Sequence, residues 1–322
     1  MKHRKITNVP HSVHERLLNL ARRDGRPFNE IEHYYAIERF LFRLGRSRHA
    51  ARFVLKGALM LRAWGGRVAR ATRDIDLLGK KHGSVDSVIS IIRECLRIEA
   101  PEDGVHFDPE SIEGEEIRLS TTYRGVRVHL RGRLGTSRLR LQIDVGFGDR
   151  IVPAASWIEY PELLDFGKPR LLGYPPETTV AEKYHAMVVL EAANTRMKDF
   201  HDVASMARGL VFEGETLAAA IRSTFASRAT PIPSDPPLAL TPTFYDNPVK
   251  KTQWAAFLRK SRLEVETLTL AETAQILREF LLPPTAALIA TELFRKEWLP
   301  GGPWKNARRS ELPKRRSTAR RR

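Results

Sequence analysis

The chain has a single cysteine, Cys95, in 322 residues, so an intramolecular disulfide framework is excluded and a reducing compartment suits it. No set of cysteines and histidines has zinc-site spacing. No apolar run is long enough to span a bilayer. The start Met1-Lys2-His3-Arg4-Lys5 leads into polar residues and not into the apolar core of a signal peptide. There is no internal repeat. These absences predict a soluble cytoplasmic protein with no membrane or disulfide partner. Negative charge is also scarce: 38 Asp and Glu face 54 Lys and Arg, a net charge of +16. The segment Lys305 to Arg322 carries nine Lys/Arg against one Glu and reads as a disordered basic tail over 301–322. The body stays basic, with Arg124, Arg127, Arg131, Arg133, Arg138 and Arg140 close together. Such a field attracts phosphate backbones.

What is present is a pattern of carboxylates. An apolar run from Phe53 meets a glycine turn at Lys56-Gly57-Ala58, and Thr72-Arg73-Asp74-Ile75-Asp76-Leu77-Leu78 follows. Alternation in a strand places Asp74 and Asp76 on one face and Ile75 and Leu77 on the other. Two carboxylates so placed can share a hard cation such as Mg²⁺, although Asp-x-Asp at a strand end is more often simply solvated.

A third acid comes from a basic hairpin. Leu139, Leu141, Ile143 and Val145 alternate with Arg138, Arg140, Gln142 and Asp144, the period-2 pattern of a half-buried strand. If that strand lies beside the Asp74/Asp76 strand, the three acids share one site. Otherwise Asp144 pairs with Arg140 or caps the turn at Gly146-Phe147-Gly148-Asp149.

After two prolines, Val180, Tyr184, Met187, Val188 and Glu191 recur at helical spacing, and Thr179 and Glu182 have capping-box spacing. Lys183 sits in the early turns of this helix. A second helix places Asp199 and Asp202 three apart and stops near Gly209. Lys183 can meet a triphosphate as a point charge, or can merely be solvated. Cys95 falls within an amphipathic helix, Val88 to Arg97, and reads as core.

The set Lys56-Gly57-Ala58, Arg70-x-Thr72-x-Asp74-Ile75-Asp76-Leu77, Asp144, Ala181-Glu182-Lys183 and Arg196-x-Lys198-Asp199-x-x-Asp202 resembles the AbiEii-type nucleotidyltransferases, toxins of type IV toxin–antitoxin and abortive-infection systems that include the MenT-type toxins. The resemblance covers about residues 10–290. It implies Mg²⁺ held by Asp74, Asp76 and Asp144, catalytic roles for Asp74, Asp76, Lys183 and Asp199, and nucleotide binding by Gly57, Ala58, Thr72 and Lys183. It also implies an NTP substrate, with pyrimidines favoured, the 3′ end of tRNA or another RNA as acceptor, and a separate cognate antitoxin. Where the family frequently has Gly-Gly-Ser or Gly-Gly-Thr, this chain has Lys56-Gly57-Ala58, so a phosphate there would meet backbone amides without a hydroxyl.

The expected architecture is α/β and two-lobed. A nucleotidyltransferase lobe (1–160) has a helical pair from about Ser12 to Leu44 and a mixed sheet between about Arg52 and Pro153. A mainly helical lobe (161–300) follows, with the proline-rich stretch from Ala229 through Pro248 as an irregular connector and helices at about Lys250 to Lys260 and Leu268 to Leu281. The rival readings are a protein-nucleotidylating enzyme and a non-catalytic nucleic-acid-binding or antitoxin-like protein.

Overall fold

The computed structural model describes residues 8–65, 72–100, 102–118, 124–263 and 268–307. Arg70 and residues 308–322 lie outside the described residues; the first part of the tail read over 301–322 is ordered, Trp304–Asn306 forming a strand. The chain opens with a helical pair, α1 (Val9–Arg23) and α2 (Phe28–Arg46). Asn8 caps α1 through its side-chain oxygen, and Val13, Leu17 and Ala21, spaced by four, form its buried stripe. Most of α2 is buried because it packs against both α1 and the sheet.

Seven strands form one mixed sheet: β1 (Phe53–Lys56), β2 (Asp74–Gly79), β3 (Val105–Arg118), β4 (Arg124–Leu134), β5 (Ser137–Phe147), β6 (Ser156–Glu159) and β7 (Arg170–Gly173), in the order β3-β4-β5-β2-β1-β7-β6. The hairpin β4–β5 turns at Gly135-Thr136, with Leu134 opposite Ser137 and Gly135 at φ 58°. Its alternation is the one expected: Val126, Val128, Leu130, Leu139, Leu141, Ile143 and Val145 are buried, while Arg131, Arg133, Arg138 and Arg140 are exposed. A short helix, α3 (Ala58–Ala63), follows β1. The helix α4 (Val85–Leu96), capped by Ser84, packs its buried face against β3 and α2. Cys95 lies on that face, and burial pushes its thiol up to about 11, so it is core and no nucleophile at neutral pH.

The expectation of a mainly helical lobe over 161–300 left out the strands that lie there. Arg170–Gly173 enters the sheet as β7, parallel to β1. Four residues with two leucines are too short for a period to register, and the pairing that fixes them is non-local.

Beyond β7, a second hydrophobic cluster is built from α5 (Pro176–Leu190), α6 (Met197–Gly209), α7 (Gly214–Ser227), α8 (Pro242–Tyr245), α9 (Pro248–Ser261) and α10 (Leu270–Ile289). A small sheet of β8 (Phe212–Glu213), β9 (Lys296–Trp298) and β10 (Trp304–Asn306) closes it. Among the described residues no helix is long and apolar enough to cross a membrane.

Three local expectations are corrected here. Thr179 and Glu182 form no capping box, because Pro176 starts α5 earlier and leaves Thr179 buried inside it; the capping box of this lobe is Thr269 with Glu272, at the start of α10. Pro242 and Pro248 do not belong to an irregular connector: each opens a helix, where the missing N–H costs nothing. Nor does α10 stop at Leu281, since it runs through Pro283 and Pro284. Pro284 cannot donate to the carbonyl of Phe280. The indole Nε1–H of Trp304 donates to that oxygen instead, at 3.0 Å, and Thr285 Oγ1 donates to the carbonyl of Leu281 at 2.7 Å.

Candidate active site

Four charged residues stand in a row across four neighbouring strands. Arg127 on β4 is opposite Asp144 on β5, Asp144 is opposite Asp76 on β2, and Asp76 is opposite Lys56 on β1. Directly paired residues project from the same face of a sheet. Asp74, opposite Gln142, joins that face one pleat along. The parallel pairing of β2 with β5 is therefore what brings the three acids together, as the hairpin pattern had left conditional.

The turn after β1 is shaped around Asp76. Gly57 has φ 72° and ψ −155°, a region essentially reserved for glycine. A Cβ on it would fall 2.0 Å from Oδ2 of Asp76. Ala58 then begins α3. The backbone N–H of Thr72, just before β2, donates to the Tyr34 hydroxyl at 3.0 Å. Burial raises the Asp76 carboxyl to about 6; Asp144 and Asp74 push the same way, and Lys56 and Lys198 oppose them.

Asp144 pairs neither with Arg140 nor with the turn. It is buried, and both its oxygens accept from Arg127, from Nε at 2.8 Å and Nη2 at 2.7 Å. Gln142 Nε2 adds contacts of 3.3 Å to each oxygen. Among the described residues no three Asp, Glu, His or Cys side chains form a ready-made metal cluster, and Asp144 is engaged by Arg127. Asp74 and Asp76 remain suited to a hard cation: they are oxygen donors, one exposed and one in a crowd of negative charge that a cation would relieve.

Lys183 on α5 and the acids of α6 form a second cluster. Its Nζ lies 2.7 Å from Asp199 Oδ1 and 2.9 Å from Asp202 Oδ2, both carboxylates being fully buried. Arg196 Nε reaches Asp199 Oδ2 at 2.6 Å. Burial works to raise the Asp199 carboxyl, yet Lys183 and Arg196 hold it below the usual range. Lys198, in the first turn of α6, acts on the Asp76 carboxyl through its charge.

Sequence reasoning missed a third network. Lys56 Nζ lies 2.5 Å from Asp149, 3.4 Å from Glu182 and 3.4 Å from the Tyr174 hydroxyl. Arg228 Nη2 approaches Asp149 at 3.5 Å and Glu182 at 3.9 Å. Burial would lower the Lys56 ammonium, but Glu182, Tyr174 and Asp149 outweigh it and keep it charged. Arg228 is 79 residues from Asp149, and no local pattern joins them.

The model of the AbiEii nucleotidyl transferase toxins of type IV toxin–antitoxin systems matches residues 39–279. Among curated proteins none matches this chain. Two solved structures from Helicobacter pylori are similar at low identity. JHP933 shares 15% identity and a TM-score of 0.47, covering 82% of this chain and 97% of its own. A second protein, assigned as a nucleotidyltransferase, shares 14% with a TM-score of 0.44, covering 82% and 98%. The family match takes in the carboxylate row, the glycine turn, Lys183 and Asp199 within most of the chain, and so the protein belongs to the AbiEii nucleotidyltransferase toxins of type IV systems.

Proposed function

We propose that this nucleotidyltransferase moves a nucleoside monophosphate from an NTP, a pyrimidine nucleotide by family resemblance, to the 3′ hydroxyl of tRNA or another RNA, and so blocks translation in the cytoplasm. The observation that carries the reading is the placement of Asp74, Asp76 and Asp144 on one sheet face, Asp76 directly opposite Asp144. In the reaction the acceptor oxygen forms a bond to the α-phosphorus, the bond to the β-phosphate oxygen breaks, and pyrophosphate leaves while the hydroxyl proton is lost. Asp74 and Asp76, with Asp144 if it gives up Arg127, would hold Mg²⁺, whose chemistry here is to neutralise phosphate charge.

The chain's own groups account for the rest. Gly57 admits Asp76 to its place, and its turn offers backbone to a phosphate where a side chain would clash. Thr72 leads into β2 and is held by Tyr34. Lys183, by family resemblance, would meet the charge of the β- and γ-phosphates. Asp199 and Asp202 orient Lys183. A type IV system implies a cognate antitoxin as a separate protein.

Purified protein is incubated with Mg²⁺, each labelled NTP in turn and total tRNA, beside Asp76→Ala. Label on RNA with the wild type alone is expected. Label on polypeptide and none on RNA would replace this reading with protein nucleotidylation.

A further inference from the structure

The face of β4 and β5 that carries Arg127 and Asp144 continues away from them. Along it the opposed pairs are His129 with Gln142, Arg131 with Arg140, and Arg133 with Arg138. All project from the carboxylate side, because paired residues share a face and every second residue returns to it. His129 and the four arginines are exposed. The helices α2 and α4 cover the opposite side, where the valines and leucines of the hairpin are buried.

We infer that this arginine ladder is the seat of a single nucleic-acid strand, whose phosphate backbone runs along the hairpin and delivers its 3′ end to Asp76 and Asp144. The inference rests on the RNA-acceptor reading above and names the surface that reading requires. Three features favour a phosphodiester strand over a scattered basic surface. First, Arg133, Arg138 and Arg140 have no ion-pair partner among the described residues, so their charge is available. Second, from Asp144 to the level of Arg138 is about 20 Å at the usual rise per residue. That length seats several phosphates at the roughly 3.4 Å spacing of stacked nucleotides in one strand. Third, the ladder has a margin: Asp108 and Glu113 on β3 lie opposite Arg131 and His129, Glu113 reaching Arg131 at 4.0 Å, and they repel a backbone that strays to the sheet edge. An open depression of about 310 Å³, lined by Ser111, Glu113, His129, Arg131 and Arg140, lies at this margin.

The test is the triple variant Arg133→Gln, Arg138→Gln, Arg140→Gln, compared with wild type by fluorescence anisotropy on a labelled single-stranded RNA at several salt concentrations. Exposed glutamines leave the core untouched, and an unchanged melting curve verifies this. Expected are an affinity loss of about tenfold or more at low salt, and a fall of about 2 in the slope of log affinity against log salt, near 0.7 for each lost phosphate contact. The affinity for NTP should stay at the wild-type value. If the variant keeps both affinity and slope while the wild type labels RNA, the ladder is wrong and the acceptor reading stands. If the slope falls as expected but the wild type labels no RNA, the ladder stands and the acceptor reading fails. Equal weakening by polyglutamate competing at the same site would reduce the ladder to a general polyanion surface and overturn it.

Discussion

Arg127 closes on Asp144 like a fork, Nε on one carboxylate oxygen and Nη2 on the other. The guanidinium thus supplies the positive charge that a cation would otherwise bring to the buried acid. Replacing it by methionine, which keeps the stem, leaves Asp144 beside Asp76 without a counter-charge. Because Arg127 is about a third exposed, the loss should be about 1–2 kcal/mol, below that of a fully buried pair. Thermal melting with and without Mn²⁺ reads the effect: the cation should stabilise Arg127→Met more than wild type, and equal shifts would show that Asp144 takes no part in binding it.

Gly57→Ala should be severe in an otherwise tolerant turn. The backbone conformation alone costs on the order of 1–3 kcal/mol, and the new methyl must displace Asp76. Moving a catalytic group by about 1 Å is worth roughly a hundredfold in rate. Turnover should therefore fall by about that factor in the fraction of protein that remains folded by circular dichroism. A variant with full turnover would remove Asp76 from the reaction.

Lys183 bears on stability as well as on chemistry. Lys183→Met would leave Asp199 and Asp202, both fully buried, with Arg196 as the nearest remaining cation on the pair. Urea unfolding should show a loss of about 3–5 kcal/mol. Adding Asp202→Asn should restore part of it, and a strictly additive double variant would contradict the coupling.

How much of this was legible beforehand divides by range. Periodicity in one segment revealed the hairpin, α1, α4 and the side of the strand on which Asp74, Asp76 and Asp144 lie. It could not reveal that β2 runs parallel to β5, because that pairing joins residues about seventy apart. The same limit hid β7, the Arg228–Asp149 contact and the choice of Arg127 over Arg140 as the partner of Asp144. Asp144 and Arg140 are four residues apart along one strand, about 13 Å at the usual rise, whereas Arg127 is directly opposite Asp144 on the next, at the shorter cross-strand distance. Proline misled for a different reason: its meaning depends on whether it falls first or within a helix, and repair by a distant donor is invisible locally.

Acid should favour one buried group. Glu38 lies in α2 with Arg39 Nη2 2.9 Å away, and accepts from the Leu163 N–H at 2.6 Å. Burial nevertheless raises its carboxyl from 4.5 to about 7. Between those two values the folded chain keeps a proton that the unfolded chain has released, so stability falls as pH rises through that window. The slope for one proton is about 1.4 kcal/mol per pH unit. Stability against pH for Glu38→Gln should be flatter by roughly that amount between pH 4.5 and 7. An unchanged slope would mean that Glu38 is ionised throughout.

The Trp304 indole lies 24 residues from the carbonyl it serves, stacks on Phe280 with ring centroids 5.8 Å apart, and meets Trp298 edge-on. A segment that looks peripheral thus completes the hydrogen bonding of the longest helix in the second cluster. Scission between Ile289 and Lys296 would cut the covalent link between α10 and the segment that carries that donor, β9 and β10. A reporter fused beyond Asn306 leaves the clasp whole, which makes that the safer place to label the protein.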